Sequence, residues 1–337
     1  MKITEKAQLT AYNTFGINAI ADYLVQYHNV DELKQIIEQG MLRKHKYLHV
    51  GKGSNLLFLN DFQGVVLHSE ISYFKIVAEN ESMVEIEVGA GVEWDEFVEY
   101  TVRNQFFGIE NLSLIPGEVG AAAIQNIGAY GSEACETIKE VHAVNLKSGD
   151  KQIFKKNDCK YGYRESIFKN EYKNQFAIVA VVFELSKKPV FNLSYQQLEK
   201  EVLKNGEINA DNIRNTIIRV RNSKLPDPKI YGNAGSFFMN PVVSKALFNN
   251  IQSDNPEMPH YFVSDSEEKI PAAWLIDQCG WKGRRVGNAG VHSEQALVII
   301  NKGGATGTEI VHLAELIQQS VFNKFGIRLQ PEVNYIS

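Results

Sequence analysis

Apolar positions divide this chain into stretches of different period. Near the start, Asp22 to Tyr27 reads as a strand, Asp31 is placed to cap a helix running to about Gly40, and Lys46 to Val50 reads as a second strand. The order is β-α-β. From about Gly64 to Leu185 the signal shifts to short strands with period-2 alternation, such as Val84 to Val88 and Val141 to Leu146, interrupted by a helix over Glu93 to Asn104. The longest uninterrupted apolar run, Phe176 to Phe183, reads as a buried strand. It is far shorter than the roughly 20 residues that a membrane-spanning helix needs.

Farther along, Pro226 and Pro228 sit in a short polar stretch, Asn222 to Lys229, just after a helical pattern that is expected to end near Arg221. A new domain is expected to begin near Lys224. Ile310, Leu313, Ala314, Ile317 and Val321 fall on one helical face, Gly326 supplies a left-handed stop, and Ile327 to Ile336 is expected to form a final strand. No internal repeat or low-complexity tract is visible, which excludes a solenoid.

Composition narrows the function classes. The chain has 337 residues, 44% hydrophobic and 22% charged, as in an ordinary globular protein of two or three domains. A formal charge of −5 gives no reason to expect nucleic-acid or anionic-membrane binding, so an anionic ligand must be met by local groups. The charged N-terminus, Met1 to Lys6, lacks a following apolar segment, so a cytoplasmic location is expected. Cys135, Cys159 and Cys279 form no CxxC pair and are expected to be buried thiols. The eight histidines show no HExxH or HxH pattern, and no metal site is expected.

Two glycine-rich segments carry the first chemical signal. Gly51, Gly53, Ser54 and Asn55 directly follow the apolar strand ending at Val50, and glycine turns of this kind can converge backbone N–H groups on phosphate oxygens. The segment is not a full dinucleotide fingerprint, since Leu56 stands where a third glycine would, and a plain connecting turn is the alternative. The second segment, Ile115 to Gly131, has glycine at 117, 120, 128 and 131 and an alanine triplet at 121–123. Something flat or phosphorylated could lie against it; tight helix packing through small residues is the alternative.

Together with other short motifs these segments resemble the UDP-N-acetylenolpyruvoylglucosamine reductase family. The resemblance rests on Tyr12 to Gly16, Gly51 to Asn55, Ile115 to Gly131, Tyr161 to Phe168, Lys224 to Pro228, Gly232 to Phe238, Trp274 to Asp277, and Pro331 with Glu332, in that order along the chain. It implies an α+β protein: a vanillyl-alcohol-oxidase-type FAD-binding fold of two α+β subdomains, with a C-terminal α+β substrate-binding domain. The implied division is 1–63, completed by 327–337, then 64–222, then 223–326. The implied reaction is NADPH-dependent reduction, through noncovalent FAD, of UDP-N-acetylglucosamine enolpyruvate to UDP-N-acetylmuramate in peptidoglycan synthesis, by a monomer.

The resemblance also implies site residues. Gly51, Gly53, Ser54 and Asn55 would meet the FAD pyrophosphate, with Pro116, Gly117, Gly120, Ala121 and Ile124 along the flavin, and Gly128 and Ile178 also against the cofactor. Ala121 and Ala122 stand where some members carry serine, so hydroxyl contacts there would be missing. Ser236 would be the proton donor, beside a glycine and ahead of two aromatic residues that could exclude water. Arg164 would bind the substrate carboxylate, because a guanidinium matches a carboxylate bidentately, and Glu332 would orient Arg164 or a water, or assist protonation. Tyr130, Tyr163, Tyr195, Lys224, Asn240 and Gln295 would surround the nucleotide sugar, with Lys224 as the local cation an acidic protein needs and Tyr195 on a loop typical of the longer form of the family. Two rivals stand beside this reading: another FAD-dependent oxidase of the same fold, and an inactive nucleotide-sugar-binding homologue.

Overall fold

The computed structural model describes residues 1–195 and 197–337, which fall into two compact units. Unit 1 comprises Met1–Ala7, Ala21–Lys52 and Gln63–Arg221; unit 2 comprises Gln8–Ile20, Gly53–Phe62 and Asn222–Ser337.

Unit 1 carries two sheets. In the first, strands run in the order Lys2–Gln8, Ile20–Tyr27, Phe62–Ser69, Tyr47–Val50, with the last two parallel and Val50 opposite His68. The helix Val30–Glu38 covers it and buries Leu33, Ile36 and Ile37. Its cap is Asn29, whose side chain accepts the Glu32 N–H at 2.9 Å, and not Asp31, which lies in the first turn. Asparagine in an extended conformation one residue before the helix is positioned for this bond, whereas Asp31 already has its backbone in the helix.

The second sheet is antiparallel, in the order Lys151–Lys155, Ile138–Asn145, Phe176–Ser186, Met83–Gly89, Phe74–Glu79. The long apolar run is its central strand, with Ala177 to Phe183 all buried. Val179 is the extra residue of a bulge: His142 faces Ala180 and Ala143 faces Ile178. The bulge switches the alternation, so Ile178, Val181, Phe183 and Leu185 enter one core while Ala177 and Val179 enter another. The helix Trp94–Arg103 packs Trp94 and Phe97 against Phe183. At its start Asp95 takes Arg214 bidentately, at 2.6 and 3.0 Å, and also accepts the Leu114 N–H, which fixes the entry to the second glycine-rich segment.

Unit 2 has an antiparallel sheet in the order Gly232–Ser236, Val298–Asn301, Ala289–Val291, Arg285–Val286. A three-stranded sheet orders Val242–Ser244, Glu267–Lys269, Tyr261–Ser264. The helix Gly307–Phe325 buries the five predicted residues, opens with a Thr306–Glu309 capping box and stops at Gly326, whose φ is 70°. The final strand is shorter than expected: only Asn334–Ile336 pairs, parallel to Leu56–Phe58. Pro331 lacks an N–H and so breaks any continuous ladder; it makes an isolated bridge with Phe238. The helix before the two prolines runs to Lys224 and not only to Arg221, ending where Leu225 precedes Pro226. Of the cysteines only Cys159 is buried; Cys135 and Cys279 are partly exposed.

Candidate functional site

The glycine turn after Val50 leads into the short strand Leu56–Phe58, not into a helix. Gly53 is required sterically, while Gly51 is crowded only by a side-chain end. A Cβ on Gly51 would lie 2.8 Å from Glu118 Oε2, and one on Gly53, whose φ is 64°, would lie 2.0 Å from the Tyr12 carbonyl oxygen. Neither the Gly51 nor the Gly53 N–H reaches an acceptor among the described residues. Uncommitted amides in a glycine turn are what an anionic pyrophosphate needs, so the turn fits the phosphate end of FAD. Lys52, between them, is ion-paired to Glu93 at 2.9 Å.

The second segment begins with strained backbone. Leu114 has φ 58° and Gly117 φ 134°, and the Gly117 carbonyl accepts the Trp94 N–H at 3.0 Å. Gly120 lies in the short helix Val119–Gln125, where a Cβ would come within 2.9 Å of Ala90 Cβ. Tight packing of small residues is therefore real here, alongside whatever binding role the segment has. Pro116 is exposed, Gly117, Ala121, Ile124 and Gly128 are partly exposed, and Gly120 is buried. Ile178 is 1% exposed, inside the larger core of unit 1.

Arg164 also has a left-handed backbone, φ 58°. Its guanidinium donates to the carbonyl oxygens of Asn126 (3.2 Å) and Gly128, and lies 5.3 Å from the ring centre of the exposed Tyr163. A Cβ on Gly128 would sit 2.9 Å from the Ser132 carbonyl oxygen and 2.8 Å from Arg164 Nη1, so glycine leaves room for the guanidinium. Asn126, itself left-handed at φ 46°, caps the preceding helix and donates to the Gly162 carbonyl. Helix end and arginine loop are thus tied together by backbone acceptors.

Tyr130 and Tyr195 meet edge to face at 5.7 Å. Asn111 joins their loops by donating to the carbonyls of Tyr130 (2.9 Å) and Asn192 (2.7 Å), and its own Oδ1 has no partner among the described residues. Arg221, on the helix Ala210–Lys224, faces Tyr130 electrostatically with a buried Nε that has no hydrogen-bond partner among the described residues, and burial pulls its pKa down. Burial likewise raises the Tyr130 phenol, with Arg221 opposing. Sequence reasoning missed Asn111 and Arg221. The spacing of Arg221 three residues before Lys224 on a helix was the available signal, since residues so spaced share a face.

In unit 2 the backbone brings Ser236, Glu332 and Asn55 together. Ser236 ends the strand Gly232–Ser236 and is exposed, while Phe237 and Phe238 behind it are each 1% exposed. Gly235, at φ 69°, makes the kink before the serine, supported by Asn233 Oδ1 accepting the Gly235 N–H at 2.9 Å. The Glu332 N–H donates to the Phe237 carbonyl at 2.8 Å, and Asn55 Nδ2 donates to the Glu332 carbonyl at 3.2 Å. Asn240 uses its side-chain oxygen to accept the Ala272 N–H at 2.9 Å, a bond that does not engage its NH₂ donors. Gln295 is partly exposed and its carbonyl accepts the Val298 N–H; Lys224 is exposed at the end of its helix. No group of three or more histidine, cysteine or acidic residues able to hold a metal exists among the described residues.

The chain matches the family model of the UDP-N-acetylenolpyruvoylglucosamine reductase C-terminal domain over residues 227–336, and that of an FAD binding domain over residues 21–152. It is 46% identical over 332 residues to a UDP-N-acetylenolpyruvoylglucosamine reductase of Bacteroides fragilis, covering 98% of this chain and 99% of that one. It is 47% identical over 338 residues to the protein of that name from Porphyromonas gingivalis, covering all of both chains. The crystal structure of UDP-N-acetylenolpyruvylglucosamine reductase from Thermus caldophilus shares the fold over the whole of both chains, with a TM-score of 0.71 at 23% identity.

Proposed function

The chain belongs to the UDP-N-acetylenolpyruvoylglucosamine reductase family, and from that premise we propose that it reduces UDP-N-acetylglucosamine enolpyruvate to UDP-N-acetylmuramate with NADPH, through FAD, in peptidoglycan synthesis. The observation that carries this is likeness at 46–47% identity over essentially the full length of the relatives. The fold is the α+β arrangement expected. FAD, when bound, supplies the hydride taken from NADPH.

The chain's own residues have the remaining tasks: holding the cofactor, orienting the substrate and delivering one proton. Gly51, Gly53, Ser54 and Asn55 bind the pyrophosphate; the turn's uncommitted amides support this. Pro116, Gly117, Gly120, Ala121, Ile124, Gly128 and Ile178 form the protein side of the flavin site, with Ile178 acting as packing beneath it since it has almost no exposed surface. Arg164 binds the carboxylate next to the reacting carbon and stabilises the negative charge that grows there. Its two carbonyl acceptors hold the guanidinium in place before substrate arrives. Ser236 donates the proton from Oγ, at an exposed strand end beside the kink at Gly235. Glu332, fixed by its backbone next to Phe237, orients Arg164 or a water, or assists protonation. Tyr130, Tyr163, Tyr195, Lys224, Asn240 and Gln295 hold the nucleotide sugar.

The working form is a cytoplasmic monomer, divided into 1–63 with 327–337, 64–222 and 223–326. No helix among the described residues is long and apolar enough to cross a membrane. The purified protein should absorb at about 370 and 450 nm and release FAD on acid precipitation, as a noncovalent flavoprotein does. A colourless protein that FAD cannot reconstitute contradicts the proposal. Flavin reoxidised by oxygen but not by the enolpyruvyl sugar would favour an oxidase of this fold instead.

A further inference from the structure

Glu118 is a residue that the reading above leaves without a task. It stands between Gly117 and the helix Val119–Gln125, is 3% exposed, and does not cap that helix with its side chain. A buried carboxyl normally has a cation or several N–H donors around it, because an uncompensated buried charge is expensive. Among the described residues none donates a hydrogen bond to this one. His68 Nε2 is 3.9 Å from Oε1, outside hydrogen-bond reach, and burial keeps that imidazole neutral by pulling its pKa down. Lys52 is engaged with Glu93.

What the carboxyl does face is the glycine turn. Oε2 lies 2.8 Å from the point where a Cβ of Gly51 would be, so the acid occupies the space that the missing side chain leaves. We propose that Glu118 is a further cofactor-positioning residue, whose carboxylic acid O–H donates a hydrogen bond to the FAD pyrophosphate at the Gly51 turn. This rests on the FAD reading of that turn given above.

The electrostatics agree with a protonated donor. Burial pushes the Glu118 pKa up to about 8, with Lys52 opposing and the carboxylates of Glu93 and Glu70 adding to the rise. The remaining titratable groups packed around it are His68, the deeply buried Tyr27 and, beyond Tyr27, His49, whose pKa burial lowers to about 4. Burial lowers both imidazole pKa values and raises that of the phenol. The pyrophosphate, an anion, strengthens the preference for the acid form. The sign follows: the protonated protein binds FAD, so affinity is full below the pKa of the free protein and falls as pH rises through it. One proton is then linked to each FAD bound, and Kd should rise about tenfold per pH unit above about 8.

The test is release of FAD on dilution of the holoprotein, read by flavin fluorescence from pH 6.5 to 9. In the unmodified protein log Kd should be flat to about pH 7.5 and then climb with a slope approaching one. Glu118→Gln keeps a neutral N–H donor of the same shape, and its profile should be flat across the range. Glu118→Ala should also be flat, but weaker than Glu118→Gln at every pH. A flat profile in the unmodified protein, or the unmodified slope persisting in Glu118→Gln, overturns the assignment of Glu118 alone. Failure of FAD to associate with any of the three proteins at any pH overturns the cofactor reading itself.

Discussion

Arg164 in unit 1 and Ser236 in unit 2 are both placed by an unusual backbone, yet by opposite means. Arg164 itself takes a left-handed conformation, which costs a side-chain-bearing residue about 1–3 kcal/mol, and its guanidinium is then locked onto the Asn126 and Gly128 carbonyls. Ser236 leaves the left-handed position to the adjacent Gly235, where it costs little, and its hydroxyl makes no hydrogen bond among the described residues. The difference suits the two roles proposed above. A carboxylate-binding cation gains from being immobile before substrate arrives, while a proton donor must be able to give up its hydrogen without first breaking a bond to the protein.

Three substitutions bear on that contrast. Ser236→Ala should have the largest effect: reduction of bound flavin by NADPH stays near its normal rate, while reoxidation by the enolpyruvyl sugar slows by about 10²–10⁴-fold, the usual worth of a general acid. Stopped-flow absorbance separates the two steps. Equal slowing of both would mean lost cofactor or damaged fold, and fast reoxidation would move the donor to Glu332. Arg164→Lys keeps the charge but not the planar fork, and an ammonium cannot span both carbonyls and a carboxylate. kcat/KM should fall about 100-fold, chiefly through kcat. A change confined to KM would mean that the guanidinium only binds. Lys224→Ala should have the smallest effect, a rise in KM of about tenfold with FAD content unchanged, because Lys224 is exposed and its attraction is screened by solvent. An unchanged KM removes Lys224 from the site.

Features fixed by local chemistry were readable in advance. Gly326 ends its helix because only a residue tolerant of positive φ fits there, and Ile310 through Val321 form a buried face because their spacing is helical. Gly51 and Gly53 were legible as an open turn, and the structure adds the backbone collision that forbids a side chain at Gly53 and the Glu118 carboxyl that lies against Gly51. What the sequence hid depends on distant partners. Asn29 and Asp31 are both acceptable caps in a linear reading, and only the helix's actual first turn chooses between them. The bulge at Val179 is invisible in an unbroken apolar run, since every residue there is apolar whichever face it joins. Arg221 and Glu118 look like ordinary surface charges until the fold encloses the Arg221 Nε beside Tyr130 and buries Glu118 behind Gly51. The final strand was overcalled because Ile327 to Ile336 has strand-like composition, but Pro331 cannot donate to a ladder.

In the proposed reaction, bound flavin relays hydride from NADPH to an enolpyruvyl nucleotide sugar. It is tested most directly by anaerobic titration of the purified flavoprotein, followed at about 450 nm, where oxidised flavin absorbs. NADPH should bleach the band, and UDP-N-acetylglucosamine enolpyruvate should restore it mole for mole with formation of UDP-N-acetylmuramate. Flavin that stays reduced in the presence of that sugar, and recovers only when oxygen is admitted, would contradict the account.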